Sequence, residues 1–154
     1  MILVDTSVWG RTLRPSAPQH LVAVDAVTSL RIAGHQLASV SQVFYELWSV
    51  STRPIANNGL GFSAEQTLED QRRILESTEL YDDDRGAFDV WKDLVAAYKV
   101  AGKQAHDARL VAAMVRHGVS HLLAFNGQDF GRFREIAVLA PADASTFPPQ
   151  APPS

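Results

Sequence analysis

The sequence predicts an α/β domain with a mainly parallel central sheet flanked by helices, and three observations predict it. Short apolar runs of strand length, such as Ile2-Leu3-Val4 and the stretch from His121 to Phe125, alternate with longer segments whose apolar residues recur at helical spacing. Most of these runs are separated by a helix rather than a tight hairpin turn, as parallel neighbours require, and the crossover helices would then cover both faces of the sheet. The chain has 154 residues, 46% of them apolar, and no cysteine, so one domain can bury a core without disulfide or thiolate-metal staples.

The elements follow in order. Residues 1 to 5 read as a buried strand that ends on Asp5, and the segment from Pro18 to Ala33 carries Leu21, Val24 and Leu30 at helical spacing with Gly34 as its stop. Gln36 to Ser39 forms a second strand. Ser39 or Ser41 then caps a helix with Val43, Leu47 and Val50 on one stripe, and Arg53-Pro54 ends it because the residue before proline leaves helical geometry. Ile55 to Phe62, with Asn57-Asn58-Gly59 and Gly61, is a loop by composition. Ser63 to Gln66 has capping-box spacing ahead of a helix with a narrow stripe of Leu68, Ile74 and Leu75. Leu80-Tyr81 is a short strand, and Asp82-Asp83-Asp84 a solvated turn into a helix with Val90, Trp91, Leu94, Val95 and Tyr98, closed by Gly102.

An alanine-rich helix runs from Ala105 to His117 and stops at Gly118. His121 to Phe125 is a strong strand, Asn126-Gly127 a turn, Asp129 to Glu135 a helical turn and Ile136 to Leu139 the last strand. The closing "TFPPQAPPS" is too rich in proline to pack, so residues 1–140 are expected to form the domain and 141–154 a flexible tail. No internal repeat is present.

Bulk properties exclude several classes. The net charge of −3 makes the chain no general cation for nucleic acid, so any phosphate binding has to come from a local basic face or from bound metal. The first fifteen residues lack the apolar centre of a signal peptide and no window reaches the roughly 18 apolar residues of a membrane span, so a cytoplasmic protein without a membrane partner is expected.

In an open parallel sheet, ligands gather where the loops leave the carboxyl ends of the strands. Asp5 ends the first strand, Glu46 sits in the helix after the second on the stripe of Val43 and Val50, Asp107 lies in the first turn of "QAHDARLVAAMV", and Asp129 follows the late strand in "LLAFNGQDF" with Asn126 beside it. Plainer readings exist: Asp5 as a turn residue, Asp107 and Asp129 as complements to helix N-termini, Asn126 as a partner of Gly127 in a turn; Glu46 is the hardest to dismiss, because its stripe faces the core and an inward glutamate needs a partner to offset desolvation. Four such coincidences at one sheet edge are harder to accept than one site. Carboxylates crowded together repel and raise each other's pKa unless cations neutralise them. Oxygen donors without cysteine suit Mg²⁺ or Mn²⁺, and one or two such ions suit attack of water on a phosphodiester.

With these residues in place, the sequence resembles the PIN-domain family and, within it, the VapC-type toxins of toxin–antitoxin pairs. The resemblance covers about residues 1–140 and rests on "ILVDTSVW", "SQVFYELWSV" and "HDARLVAAMVRHGVSHLLAFNGQDF" together with the order of the acids. It implies a three-layer PIN-like fold and a Mg²⁺- or Mn²⁺-dependent endoribonuclease. Asp5, Glu46 and Asp107 would be the metal-binding acids, with a fourth group from Asp129 or, second, Asn126. Thr6 or Ser7 would hydrogen-bond the metal's waters or a phosphate. It further implies an RNA substrate, a cognate antitoxin protein and a homodimer. Ala124 departs from the family, many of whose members have Thr or Ser there, and the loop from Pro54 to Phe62 and the run at Asp82 are individual to this chain.

Arg11, Arg14, Arg53, Arg109, Arg116, Arg132 and Arg134 include the candidates for RNA-phosphate contacts; Arg11 and Arg14, which follow Asp5, are the preferred pair, while Arg109 could instead pair with an acid. Trp9, Trp48 and Trp91 read as core or dimer contacts, and His117 and His121 lack the intervening Glu of a metalloprotease helix. A phosphatase with Asp5 as nucleophile would need a second aspartate where Ser7 stands, and no glycine-rich phosphate loop exists. A free-standing RNA-processing nuclease and an inactive PIN-fold binding module remain as alternatives to the toxin.

Overall fold

The computed structural model describes residues 1–154 and contains a five-stranded, all-parallel sheet flanked by helices. In chain order the elements are β1 (Ile2–Val4), α1 (Thr6–Thr12), α2 (His20–Ile32), β2 (Leu37–Val40), α3 (Ser41–Thr52), α4 (Ala64–Glu76), β3 (Glu79–Tyr81), α5 (Arg85–Ala97), α6 (Gln104–His117), β4 (His121–Leu123) and β5 (Ala137–Leu139). Short 3-10 turns occupy Ile55–Asn57, Gly127–Asp129 and Pro141–Thr146. No helix is long and apolar enough to cross a membrane.

The strands lie in the order β3-β2-β1-β4-β5. From the central β1 the chain builds outward first through β2 and β3, then on the other side through β4 and β5, so the strand order reverses between β1 and β4. Loops leaving those two strands diverge and open a crevice at their carboxyl ends. Ile2 is in register with Leu37 on one side and His121 on the other, and every residue of β1, β2 and the Leu122–Leu123 pair is buried, as expected for strands covered on both faces. Burying a side chain such as Leu3 contributes about 1.5–3 kcal/mol, which anchors the segment that ends on Asp5.

Several expectations need correction. In α2 the core face is Ala23, Ala26, Val27 and Leu30, while Leu21, in the first turn of a helix that starts at His20, is exposed. Ser63 does cap α4, accepting from Gln66 N (3.1 Å), but the buried face is Thr67, Asp70 and Ile74, with Leu68 and Leu75 in solvent. Polar groups can take the inner face there because they bond locally: Thr67 Oγ1 donates to Ser63 O (2.8 Å) and Gln66 Nε2 to Asp70 Oδ1 (2.9 Å). The segment from Asp129 to Glu135 is not a helix; its 3-10 turn comes earlier, at Gly127–Asp129.

The proline-rich end packs rather than trails. Ala144 is buried, Gln150 N donates to Ala33 O (3.0 Å), and His35 bonds both Pro148 O (2.8 Å) and Gln150 Oε1 (3.2 Å). The Phe147 ring lies 5.1 Å from those of His35 and His121. One aromatic side chain and a few backbone bonds thus close the end of the sheet remote from Asp5, and the expected boundary at residue 140 cuts through packed structure.

The turn at Asp82–Asp84 is more than a solvated connection. Asp84 caps α5 by accepting from Ala87 N (2.8 Å) and pairs with Arg116 (2.9 Å), while Asp83 pairs with Arg109. His117 bonds Asp82 O (2.8 Å), so α6 grips this turn along its whole outer side.

Candidate active site

Asp5 stands where β1 gives way to α1. Its N–H donates to Leu123 O (3.0 Å), continuing the β1–β4 ladder by one residue, and its carboxylate caps α1 by accepting from Ser7 N (3.0 Å). Ser7 Oγ in turn accepts from Phe125 N (3.2 Å), which ties the loops after β1 and β4 together at the crevice. A helix N-cap and a possible ligand are therefore the same carboxylate.

The second acid arrives on α3. Gln42, Glu46, Val50 and, just past the helix end, Arg53 recur at about one turn and face a single cleft, whereas Val43 and Leu47 of the neighbouring stripe cover the sheet. Glu46 is exposed rather than inward. The stripe shared with Val43 and Val50 runs from the core to the rim, and Glu46 falls on its open side. It accepts from Thr6 Oγ1 (2.9 Å) and Gln42 Nε2 (2.8 Å), and the same Gln42 nitrogen also donates to His106 O (2.9 Å) at the start of α6. Gln42 thereby links α3 to the turn that presents Asp107.

The cleft measures about 590 Å³ and is lined by Asp5, Thr6, Ser7, Glu46, Asp107 and Asn126 at the sheet edge and by Arg11, Arg14, Arg53 and Asn58 farther out. Asp129 lies outside it, exposed, with Oδ2 accepting from Asn126 Nδ2 (3.0 Å). Of the two candidates for a fourth group, Asn126 is the one on the wall. Arg11 is held over the Phe125 ring (4.3 Å) and bonds Ser7 O (2.7 Å) and Gln19 Oε1 (2.9 Å), and Arg14 contacts Ser16.

The electrostatics join all four acids. Burial pushes the Asp5 carboxyl above its ordinary value and the charge of Glu46 adds to this, against bonds from Ser7 and Thr6 that lower it. Asp107 is also raised, first by burial and then by the charges of Asp129, Glu46 and Asp5. No three Asp, Glu or His side chains stand close enough to share one ion as placed. The donor chemistry nevertheless fits a hard cation. All the groups are oxygens, they repel one another, and two buried amide oxygens beside them, Gln42 Oε1 and Asn126 Oδ1, have no hydrogen-bond donor.

Sequence reasoning missed Gln42 and Asn58, and it placed Arg53 only among seven arginines open to phosphate contact. Gln42 had a signal, being four residues before Glu46 on the same helical face. Arg53 continues that face one turn beyond Val50, whereas Asn58 is brought in by a loop whose path has no periodicity.

A family model described as "PIN domain" matches residues 2–137. Among solved structures, the fold is similar to VapBC2 from Rickettsia felis bound to a promoter DNA fragment, with TM-score 0.66, 16% identity, and 91% of this chain and 98% of that chain covered. It is similar to the Mycobacterium tuberculosis toxin VapC20, described as cleaving the sarcin-ricin loop, with TM-score 0.62, 18% identity, and coverage of 86% and 95%. It is also similar to FitAcB from Neisseria gonorrhoeae, with TM-score 0.66, 18% identity, and coverage of 92% and 98%. The search of curated proteins returned no match. The parallel sheet, the crevice between β1 and β4 and the family match agree: this chain belongs to the PIN-domain family.

Proposed function

We propose that this chain is a divalent-metal-dependent endoribonuclease and the toxin of a toxin–antitoxin pair. The observation that carries the reading is the gathering of Asp5, Glu46, Asp107 and Asn126 around one open cleft at the β1/β4 crevice, with no cation bonded to any of the acids. Similar folds include a toxin described as cleaving the sarcin-ricin loop and toxin–antitoxin complexes, which favours a nucleic-acid phosphodiester as substrate, here read as RNA, and an antitoxin as partner.

Asp5, Glu46 and Asp107 would hold Mg²⁺ or Mn²⁺, with Asn126 or Asp129 completing the set. An ion bound there neutralises the carboxylates, lowers the pKa of water and offsets charge on the phosphate in the transition state. The chain's own groups do the positioning. Thr6 and Gln42 fix the two oxygens of Glu46, Ser7 N fixes Asp5, and the Ser7 hydroxyl oxygen, by accepting from Phe125 N, holds the loop after β4 against the cleft. Arg11 is held rigidly at the cleft wall, where its guanidinium faces incoming negative charge. A homodimer belongs to the same reading and is checked by light scattering.

The test is cleavage of a mixed RNA pool by purified protein with Mg²⁺ or Mn²⁺, with and without chelator. Cleavage by the wild type that disappears in Asp5→Asn and with chelator supports the reading. Equal cleavage by Asp5→Asn places the chemistry elsewhere, and no cleavage by antitoxin-free wild type makes the chain a binding module.

A further inference from the structure

The outer wall of the cleft carries positive charge that no acid uses. Arg72, Arg73, Arg85, Arg109 and Arg116 all pair with carboxylates on other faces of the molecule. The three arginines that line the cleft, Arg11, Arg14 and Arg53, bond only neutral groups or none. Arg53 is exposed, and its one hydrogen-bonded donor is the backbone N–H, to Ser49 O (3.1 Å). A chain of net charge −3 pairs five of the eight arginines outside the cleft with carboxylates, whereas all three on its wall stay clear of acids although a carboxylate cluster lies beside them.

The loop after α3 holds Arg53 and Asn58 in place. Leu60 N donates to Val50 O (2.9 Å), Phe62 N to Ser51 O (2.8 Å), Gly61 N to Arg53 O (2.9 Å) and Gly59 N to Pro54 O (3.0 Å), so the loop is stitched to the last turn of its own helix. A Cβ at Gly59 would lie 1.8 Å from Arg53 O, so only glycine lets the loop close this tightly on Arg53. Asn58 takes a left-handed conformation (φ 61), which asparagine tolerates, and this helps set its amide on the cleft wall. Two donors are thus presented on a folded-back scaffold, with part of their ordering cost already met.

We propose that Arg53 and Asn58, aided by Arg14, form a phosphate-binding subsite on the rim of the cleft that holds the RNA backbone away from the scissile bond. This rests on the ribonuclease reading. A guanidinium fork matches two phosphate oxygens and an amide N–H a third, and such contacts position a strand without reading its bases. The acids at the sheet edge and the arginines on the rim then divide the work along one strand: chemistry at one phosphate, grip at another.

The experiment is fluorescence anisotropy of a fluorescein-labelled, unstructured single-stranded RNA with wild type, Arg53→Ala, Gly59→Ala and Arg72→Ala. It is run in chelator over a series of KCl concentrations, with circular dichroism to check folding. Arg53→Ala weakens binding about tenfold and reduces the salt slope by roughly 0.7 for the lost phosphate contact. Gly59→Ala moves in the same direction, and Arg72→Ala leaves both quantities unchanged. In Mn²⁺-dependent cleavage, Arg53→Ala raises KM while kcat stays within about twofold of wild type. An unchanged slope and KM in a folded, cleaving Arg53→Ala protein overturns the subsite alone. RNA binding with the expected slope change but no cleavage by wild type overturns the nuclease reading and keeps the subsite, and absence of RNA binding overturns both.

Discussion

At the β3–α5 turn Asp83 pairs with Arg109 and Asp84 with Arg116, whereas at the sheet edge Asp5, Glu46 and Asp107 meet in one cleft with only neutral donors bonded to Asp5 and Glu46. Helix α6 serves both regions. It sends two arginines outward to the turn and one aspartate inward to the cleft, so cations were within reach of its sequence and were placed elsewhere. The turn uses acid charge to hold the fold; the cleft leaves it unbalanced, as a site must if a cation is to enter.

The two regions titrate in opposite senses. Bonds from Arg116 hold the Asp84 carboxyl below its ordinary value, so its contribution to stability is present above the unfolded pKa and fades as pH falls through the folded one. Asp5 and Asp107 lie above their ordinary values, chiefly through burial. Their contribution is full below the unfolded pKa and is lost as pH rises through the folded one.

The largest way to break the contrast is Asp5→Asn, which keeps the helix cap, since asparagine caps about as well as aspartate, and removes a charge the fold does not want. RNA cleavage falls by roughly a thousandfold or more while Tm stays level or rises. Smaller is Arg116→Ala, which strips the partner from Asp84: Tm drops by a few degrees and cleavage per folded molecule is unchanged. Asp107→Asn sharpens the same point by raising Tm near pH 7 and making the gain shrink as pH is lowered, because wild-type Asp107 becomes protonated there; thermal melts across pH read this directly. Smallest is the response to salt. Added KCl narrows the Tm gap between wild type and Asp107→Asn, since the repulsion it relieves is partly screened.

Much of this was legible in the chain itself, for physical reasons that also mark where legibility stops. Ile2-Leu3-Val4 reads as a buried strand ending on Asp5 because the run is short, fully apolar and separated from the next such run by a helical segment, as parallel neighbours require. Gly118 closing α6 and Ser63 opening α4 followed from backbone chemistry, φ of 69 at the one and a side-chain cap at the other. Helix α4 misled because Leu68 and Leu75 share a stripe with each other but not with the sheet, and locally bonded Thr67 and Asp70 took the inner face. Glu46 was placed by a stripe that turns out to run from core to rim. Asn58 and the packing of Phe147 depend on the path of loops, which no periodicity encodes.

If the unbalanced acids form a divalent-cation site, calorimetric titration of Mn²⁺ into metal-free wild type, Asp5→Asn and Asp83→Asn separates the cleft acids from the turn acids. Wild type and Asp83→Asn are expected to bind Mn²⁺ alike, while Asp5→Asn loses at least about tenfold in affinity. Equal binding by wild type and Asp5→Asn, or loss of binding in Asp83→Asn instead, would contradict a cation site at the cleft acids.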